Sequence, residues 1–187
     1  MMMEPAKTVD GLEGRVEYSQ LRIVKTIKEN KVWIVSYNDN NYVLKLKLQD
    51  DNEVSEFYKS FVRSGGNDLS MLPKLVAIVQ NHNAKASMVY TLWSFAQGKT
   101  LNLLKTDVTR GQMSQLSSRL LDPWCDSLLN ELSHLEEAGC VVPLDTNLDN
   151  FLYYNDSLTY VDVEPKPVKE VDKDILRSTL VNSGLFI

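Results

Sequence analysis

Apolar and polar positions divide the chain into a strand-rich first half and a more helical second half. Apolar, β-branched segments separated by short polar turns predict strands at residues 21–27, 32–37 and 42–48. In the third of these, leucine and lysine alternate with the period of two that a half-buried strand requires. Three consecutive strands joined by short turns predict an antiparallel meander.

One helix and two more strands complete the first half. A helix is predicted at residues 53–63, because its apolar residues recur on one face. Strands are predicted at residues 75–80 and 86–95, with a polar turn between them. The first half therefore predicts a β-sheet with one helix inserted after its third strand.

Helix signals dominate the chain after residue 100. Thr109 and Gln112 have the spacing of a capping box that begins a helix. Asp122 and Pro123 predict the N-cap and first turn of the next helix, and Gly139 stands where that helix should stop. The apolar face of this helix is predicted to consist of Trp124, Leu128, Leu132 and Leu135.

An acidic hairpin follows. Residues 145–150 read Asp-Thr-Asn-Leu-Asp-Asn, and they precede predicted strands at residues 151–153 and 158–163 with a tight turn between them. A last helix is predicted at residues 168–182.

Composition narrows the class of protein. The chain has 187 residues, 43% of them hydrophobic, which suits one compact or two-lobed domain. A net charge of −5 argues against a nucleic-acid partner. Cys125 and Cys140 have no Cys or His companions at zinc-ligand spacing. Without a signal-like or membrane-spanning apolar run, we expect no membrane partner and a cytoplasmic location, or delivery into a host cytoplasm if the protein is an effector.

The acidic hairpin, together with one lysine of the third predicted strand, contains the side chains that phosphoryl transfer needs. This reaction requires a carboxylate near the acceptor hydroxyl, oxygen ligands for Mg²⁺ and a lysine at the phosphates. Asp145, Asn150 and Asp162 supply the oxygens, and Lys45 supplies the cation.

The order of these residues resembles the protein-kinase-like superfamily. The pattern Asp-x-x-x-x-Asn, apolar strand, turn and apolar-Asp is similar to the catalytic and metal loops of that superfamily. The resemblance implies that Asp145 is the catalytic aspartate, and that Asn150 and Asp162 bind Mg²⁺. Glu164 is a further possible metal ligand.

The first half adds three more parts to the resemblance. The Val-Leu-Lys that ends at Lys45 resembles the V-A-I-K of the third kinase strand, which implies a phosphate-binding and catalytic lysine; Lys47 has the same claim by periodicity. Glu56 is the best match for its ion-pair partner, with Glu53 as the fallback. Residues 88–93 resemble the fifth strand and the adenine-binding hinge, which implies Tyr90 and Leu92 as nucleotide-binding residues.

The chain also departs from the kinase pattern. Residues 26–31 contain no glycine where kinases carry a glycine-rich loop, and Pro143 replaces the usual His. Asn147 stands where protein Ser/Thr kinases carry Lys, and the small OspG-like bacterial effector kinases, which this chain resembles, also carry Asn there. The Val-Asp-Val-Glu sequence around Asp162 resembles, more distantly, aminoglycoside and choline kinases.

The resemblance implies an α+β, two-lobed, protein-kinase-like fold. The expected single domain, 1–187, has a tail at 1–20, a small antiparallel β N-lobe at about 21–96 and a truncated helical C-lobe at about 97–187, with the site between the lobes. The implied activity is ATP- and Mg²⁺-dependent phosphoryl transfer to a hydroxyl, with a protein as the expected substrate. The alternatives are a pseudokinase that binds a regulatory partner and a small-molecule phosphotransferase.

Overall fold

The computed structural model describes residues 16–48, 51–79, 88–167 and 170–187. The chain divides into two compact units. We call Met1–Asp68 with Pro73–Phe95 the sheet unit, and Leu69–Leu72 with Ala96–Ile187 the helical unit. The predicted tail lies mostly outside the described residues.

The sheet unit contains a five-stranded antiparallel sheet and one long helix. Its strands follow the spatial order β1-β2-β3-β5-β4, and helix α1 comes between β3 and β4 in the chain. The predicted meander is therefore confirmed, and the β5 strand joins it through β3. The elements are β1 (Arg22–Lys28), β2 (Val32–Tyr37), β3 (Asn40–Leu48), α1 (Asp51–Arg63), β4 (Leu75–Val79) and β5 (Met88–Ser94).

The β2–β3 hairpin turns on two residues that adopt left-handed backbone conformations. Asn38 has φ 47° and Asp39 has φ 61°. A two-residue turn with both φ values positive matches the twist of the strands, and Asn and Asp tolerate it better than other residues with a Cβ. Strand β3 consequently begins at Asn40, two residues before the predicted start.

The sheet of this unit packs apolar side chains on both faces. One face carries a core that includes Val35, Leu44 and Leu92. On α1, Tyr58 and Phe61 make edge contacts with the ring of buried Trp93 in β5, with centroid distances of 5.8 and 5.7 Å. This pairing fixes the helix against the strand that carries Trp93.

The helical unit combines a small antiparallel sheet, of order β6-β7-β8, with three longer helices in its described residues. The fully buried side chains include Cys125 and Leu128 of α3 and Leu180 of α4, and these two helices pack together. None of the helices in the described part of the whole chain is long and apolar enough to cross a membrane. The elements are β6 (Lys99–Thr100), α2 (Leu101–Thr109), α3 (Leu121–Glu137), β7 (Phe151–Tyr154), β8 (Ser157–Tyr160) and α4 (Lys173–Asn182).

The end of α3 confirms a sequence prediction. Gly139 has φ 101°, its N–H donates to Glu136 O (3.0 Å), and Cys140 N donates to Leu135 O (2.8 Å). This hydrogen-bond pattern is the Schellman motif, which favours glycine because a Cβ is disfavoured at positive φ. The predicted apolar face of α3 is also confirmed, because its four residues are buried: Trp124, Leu128, Leu132 and Leu135.

Two predicted helix starts are wrong. Thr109 ends helix α2 instead of capping a new helix, because Thr100 already caps α2 by accepting a hydrogen bond from Leu103 N (3.2 Å). Asp122 does not cap α3, because that helix begins at Leu121, directly after a short 3₁₀ turn at Ser118–Leu120; Pro123 lies in the first turn, as predicted.

The C-terminal boundaries also differ from the prediction. Helix α4 begins at Lys173, because Asp172 accepts a hydrogen bond from Ile175 N (2.8 Å) and caps it there. The predicted start at residue 168 lies outside the described residues. Strand β8 ends at Tyr160, three residues before its predicted end, and residues 161–163 continue as irregular chain.

Candidate functional site

The loop before β7 is fixed by a buried phenol. Tyr160, the last residue of β8, donates its hydroxyl hydrogen to Pro143 O (3.1 Å) and accepts a hydrogen bond from Asp145 N (3.0 Å). Burial raises the pKa of the Tyr160 phenol above its usual value, so the hydroxyl stays protonated and can donate. One side chain therefore holds the backbone on both sides of Leu144.

Local side-chain hydrogen bonds shape the rest of this loop. Asp145 Oδ1 accepts from Asn147 N (3.1 Å), and Asn147 Oδ1 accepts from Asp149 N (3.0 Å). Both are turns in which a short polar side chain replaces a backbone acceptor. A 3₁₀ turn at Leu148–Asn150 follows and delivers the chain into β7.

Asn150 connects this loop to the segment that carries Asp162. Its side-chain nitrogen donates to Asp145 O (3.3 Å), and its backbone oxygen accepts from Val161 N (2.9 Å). With the amide nitrogen engaged, Asn150 Oδ1 remains the side-chain oxygen that can act as a ligand. The structure thus brings together the three residues of the helical unit that the sequence proposed: Asp145, Asn150 and Asp162.

Sequence reasoning missed Lys166, which links two of these three residues. Its ammonium pairs with Asp145 Oδ2 (3.5 Å), with Glu164 Oε1 (3.1 Å) and with Asp162 Oδ2. The only available signal was a basic residue four positions after Asp162 and between two prolines. Such a lysine does not belong to the kinase pattern described above.

Electrostatics favour charged forms in this cluster. Burial by itself would raise the pKa of the Asp145 carboxyl, but the Asn147 N–H and the Lys166 ammonium outweigh it and hold that pKa below its ordinary value. Burial would lower the pKa of Lys166, but its bonds to Asp162 and Glu164 outweigh burial and raise that pKa. At neutral pH, Asp145 is therefore a carboxylate and Lys166 an ammonium.

The residue types in this site suit Mg²⁺ that is bound partly by phosphates and water. They are too few for a metal ion whose ligands all come from the protein. Within the described residues, no group of three His, Cys, Asp or Glu side chains is placed to hold a metal ion. Mg²⁺ is commonly bound through one or two carboxylates together with substrate phosphates and water. Asp162, with the amide oxygen of Asn150, matches that smaller requirement.

A small cavity lies beside Asp145 in the helical unit. Its volume is about 240 Å³, below the range of about 300–1,000 Å³ that is usual for small-molecule sites. Asp145, Thr146 and Lys166 supply its polar wall, and the remaining lining residues are apolar: Pro143, Leu144, Pro167 and Val171.

The sheet unit carries the other predicted site residues, beginning with the two lysines of β3. Lys45 is half-buried, and its ammonium lies 5.4 Å from the centroid of the Trp93 ring, a cation–π distance. Lys45 pairs with Thr91 of β5, and Lys47 pairs with Val89 two residues further along. Both side chains point away from the face that carries Leu44, as the period of a strand requires.

The two candidate glutamates lie on α1. The side chain of Glu56 is 63% exposed, and its carboxylate pairs with Lys59 (3.3 Å) and Arg63 (3.9 Å) on the same helix. Glu53, the fallback, is exposed as well. Ion pairs of this kind, between exposed side chains of one helix, are typical of a solvent-exposed helix surface.

Tyr90 and Leu92 lie on the core side of β5. Leu92 is fully buried with Val35 and Leu44. Tyr90 packs against the same cluster, and the centroid of its ring lies 5.1 Å from that of Tyr18. Strand β5 pairs with β3 on one side and β4 on the other. The observed contacts of these two side chains are packing contacts.

Comparison with known proteins identifies the fold. No protein-family model and no curated protein sequence matches the chain. The crystal structure of the M. tuberculosis PknI kinase domain matches with a TM-score of 0.59 and 13% identity, covering 89% of this chain and 73% of that one. The Cydia pomonella granulovirus kinase PK-1 matches with a TM-score of 0.56 and 18% identity, covering 78% of this chain and 54% of the viral kinase.

These two matches confirm the expected fold class. The chain has an α+β, protein-kinase-like fold, with an antiparallel β-sheet unit and a small helical unit. At sequence identities of 13% and 18%, these matches show that the fold is shared and do not by themselves show a shared activity.

Proposed function

We propose that this protein is an ATP- and Mg²⁺-dependent kinase that transfers a phosphoryl group to a hydroxyl, with a protein as the acceptor. The observation that carries the proposal is that Asp145, Asn150 and Asp162 lie together in a protein-kinase-like fold: Asn150 bonds to Asp145 O and to Val161 N, and Lys166 pairs with both Asp145 and Asp162. An ionised carboxylate, an amide oxygen and a second carboxylate on adjoining segments are the groups that phosphoryl transfer to a hydroxyl needs.

Each residue has a distinct task in this proposal. Asp145 accepts a hydrogen bond from the acceptor hydroxyl and orients it, which an ionised carboxylate can do. Asn150 and Asp162 hold Mg²⁺, which neutralises phosphate charge when it is bound. Lys45 positions the phosphates, with Lys47 as its alternative, and Glu56 or Glu53 orients that lysine. Catalysis would then come mainly from positioning and charge neutralisation.

The nucleotide-binding roles of Tyr90 and Leu92 also remain part of the proposal. Because their side chains pack in the core, any contact with adenine would come from the backbone near the end of β5. The acceptor is proposed to be a protein because the cavity beside Asp145, at about 240 Å³, suits a single side chain better than a sugar-sized substrate.

A pseudokinase is the second candidate function. Two observations favour it: no glycine occurs in residues 26–31, and the Lys166 ammonium already pairs with Asp162, the proposed metal ligand. In that case the fold would serve as a binding module for a regulatory partner. A small-molecule phosphotransferase stays a third possibility, which a panel of alcohol acceptors would reveal.

A thermal melt tests the proposal directly. ATP with Mg²⁺ should raise the melting temperature, because a ligand that binds only the folded state stabilises it. At a hundredfold excess over the dissociation constant the gain is about 2.7 kcal/mol, or roughly 5–10 °C for a chain of this size. The rise should require Mg²⁺ and should be lost in Asp162→Asn.

Asp149→Asn is the matched control, because it removes the same charge from an exposed position in the same region. It should keep the full nucleotide-dependent rise. A wild-type protein whose melting temperature does not move at millimolar ATP and Mg²⁺ would contradict the kinase proposal and favour the binding module.

A further inference from the structure

Lys166 is the centre of a three-carboxylate cluster. Its ammonium pairs with Asp145, Asp162 and Glu164, and its own side chain is only 23% exposed. Asp162 and Glu164 are 19% and 27% exposed, so their pairs with Lys166 are not fully solvated surface contacts. The ammonium is thus a cation shared by the proposed catalytic and metal-binding carboxylates.

The backbone around Lys166 has little conformational freedom. Pro165 and Pro167 flank it in the chain. The ring of a proline fixes its own φ, and the residue before a proline is restricted to extended conformations. Lys166 is therefore placed by a stiff segment, and only its four-carbon stem remains flexible.

We propose that Lys166 is a resident cation of this site, and that its ammonium and a divalent metal ion exclude one another at Asp162. The proposal rests on the kinase-like site described above. Lys166 occupies Oδ2 of the carboxylate that the proposed metal ion would also need, and two positive charges held at one carboxylate repel strongly where water is partly excluded. Lys166 is a positioning residue: it neutralises the carboxylates while no metal is bound and acts through Asp162.

A functional consequence follows for metal loading. With the ammonium in place, free Mg²⁺ or Mn²⁺ must displace it before Asp162 can become a ligand. A metal ion that arrives with nucleotide phosphates brings additional ligands, which offset that cost. The site should therefore bind free divalent ions weakly and metal–nucleotide complexes much better.

Mn²⁺ binding without nucleotide tests this exchange. The loss of the free-ion electron paramagnetic resonance signal would be followed during titration of the wild-type chain and of Lys166→Met and Lys166→Arg. Lys166→Met should bind Mn²⁺ about tenfold more tightly or better, because it removes one unit of competing charge. Lys166→Arg keeps the charge and should stay close to the wild type.

Lys173→Met is the matched control. Lys173 also pairs with carboxylates in the helical unit, namely Asp126 (2.8 Å) and Asp122 (4.0 Å), so its removal changes the net charge equally. Its Mn²⁺ affinity should equal that of the wild type. Each variant would first be checked by circular dichroism, and Lys166→Gln would replace Lys166→Met if the latter does not fold.

Two outcomes would overturn the proposal. One is an unchanged Mn²⁺ affinity in folded Lys166→Met or Lys166→Gln, and the other is an equal gain in Lys173→Met, which would reflect net charge alone. The result is separable from the kinase proposal. If the wild-type melting temperature does not respond to ATP but Lys166→Met gains Mn²⁺ affinity, the resident-cation proposal stands and the kinase proposal fails. If ATP stabilises the wild type but Lys166→Met does not gain Mn²⁺ affinity, the kinase proposal stands and the resident-cation proposal fails.

Discussion

At the scale of single residues, Tyr160 links the fold to the candidate site. Its hydroxyl is buried and makes two hydrogen bonds, to Pro143 O and from Asp145 N, so the position of Asp145 depends on a residue at the end of β8. The sequence placed Tyr160 in a strand but assigned it no role. Only the folded chain shows that this phenol holds the backbone of the proposed catalytic loop.

Tyr160→Phe should lower the free energy of unfolding by about 1–3 kcal/mol, because it leaves the partly buried Asp145 N–H and the buried Pro143 carbonyl without their partner. Urea denaturation would measure the loss. Tyr154→Phe is the control, since Tyr154 is largely exposed, and it should stay within about 0.5 kcal/mol of the wild type. Equal stability of the two variants would contradict the role assigned to Tyr160.

The same phenol gives this prediction a pH dependence. Because the pKa of Tyr160 is raised in the folded state, the unfolded chain releases its proton first as the pH rises. Its contribution is therefore complete below about pH 10, the ordinary tyrosine value, and decreases above it. The gap in stability between wild type and Tyr160→Phe should narrow over that alkaline range.

At the scale of elements, the β6–β7 pairing depends on one glycine. Gly98 precedes β6 with φ 126°, and a Cβ there would lie against the carbonyl of Tyr153, with the carbonyl carbon only 2.9 Å away. Lys99 pairs with that same Tyr153 in β7. The backbones can approach this closely only because residue 98 has no side chain.

Gly98→Ala should therefore destabilise the protein by about 3 kcal/mol or more, through backbone strain and a clash that a rigid carbonyl cannot relieve. Gly111→Ala is the matched control. Gly111 has φ 69°, and a Cβ added there would meet no atom within 4 Å, so only the left-handed conformation is penalised, at about 1–2 kcal/mol. Chemical denaturation of both variants would measure the free energy of unfolding. Equal losses of stability in the two variants would contradict the role assigned to the close approach at Gly98.

At the scale of the whole molecule, the helical unit is completed by four residues from the first half of the chain. Leu69–Leu72 belongs to this unit, although the sequence on both sides of it belongs to the sheet unit. Glu131 of α3 accepts from Ser70 N (2.9 Å), Ser70 Oγ (2.6 Å) and Met71 N (2.9 Å). Tyr160 N donates to Met71 O (2.8 Å), so this segment also touches β8.

Glu131→Gln should cost about 1–3 kcal/mol of stability, because a carboxylate that accepts three hydrogen bonds becomes an amide with one acceptor oxygen. Glu137→Gln, at an exposed position of the same helix, should change stability by less than about 0.5 kcal/mol. Chemical denaturation of both variants would compare them. A loss at Glu137 as large as that at Glu131 would point to helix charge instead of the anchored segment.

The sequence by itself determined the local structure wherever one periodic pattern or one special residue decides it. The third strand and the glycine at the end of α3 depend mainly on neighbouring residues, and both predictions are confirmed, although Leu48 at the end of that strand is exposed. The order of residues around Asp145 and Asp162 was enough to suggest the kinase-like fold, which the structural matches confirm. The helix starts predicted at Thr109 and Asp122 were wrong, because Thr100 caps α2 nine residues before Thr109, and α3 continues from a 3₁₀ turn that Ser117 caps.

Tertiary structure alone decided which side chains share the candidate site. The sequence around Lys166 does not reveal its role, because that role depends on distances to Asp145 and Asp162 that only folding establishes. The same holds for Glu131, whose partners lie about sixty residues earlier in the chain. Short-range patterns fix hydrogen bonds between near neighbours, whereas contacts between distant segments depend on how a whole unit packs.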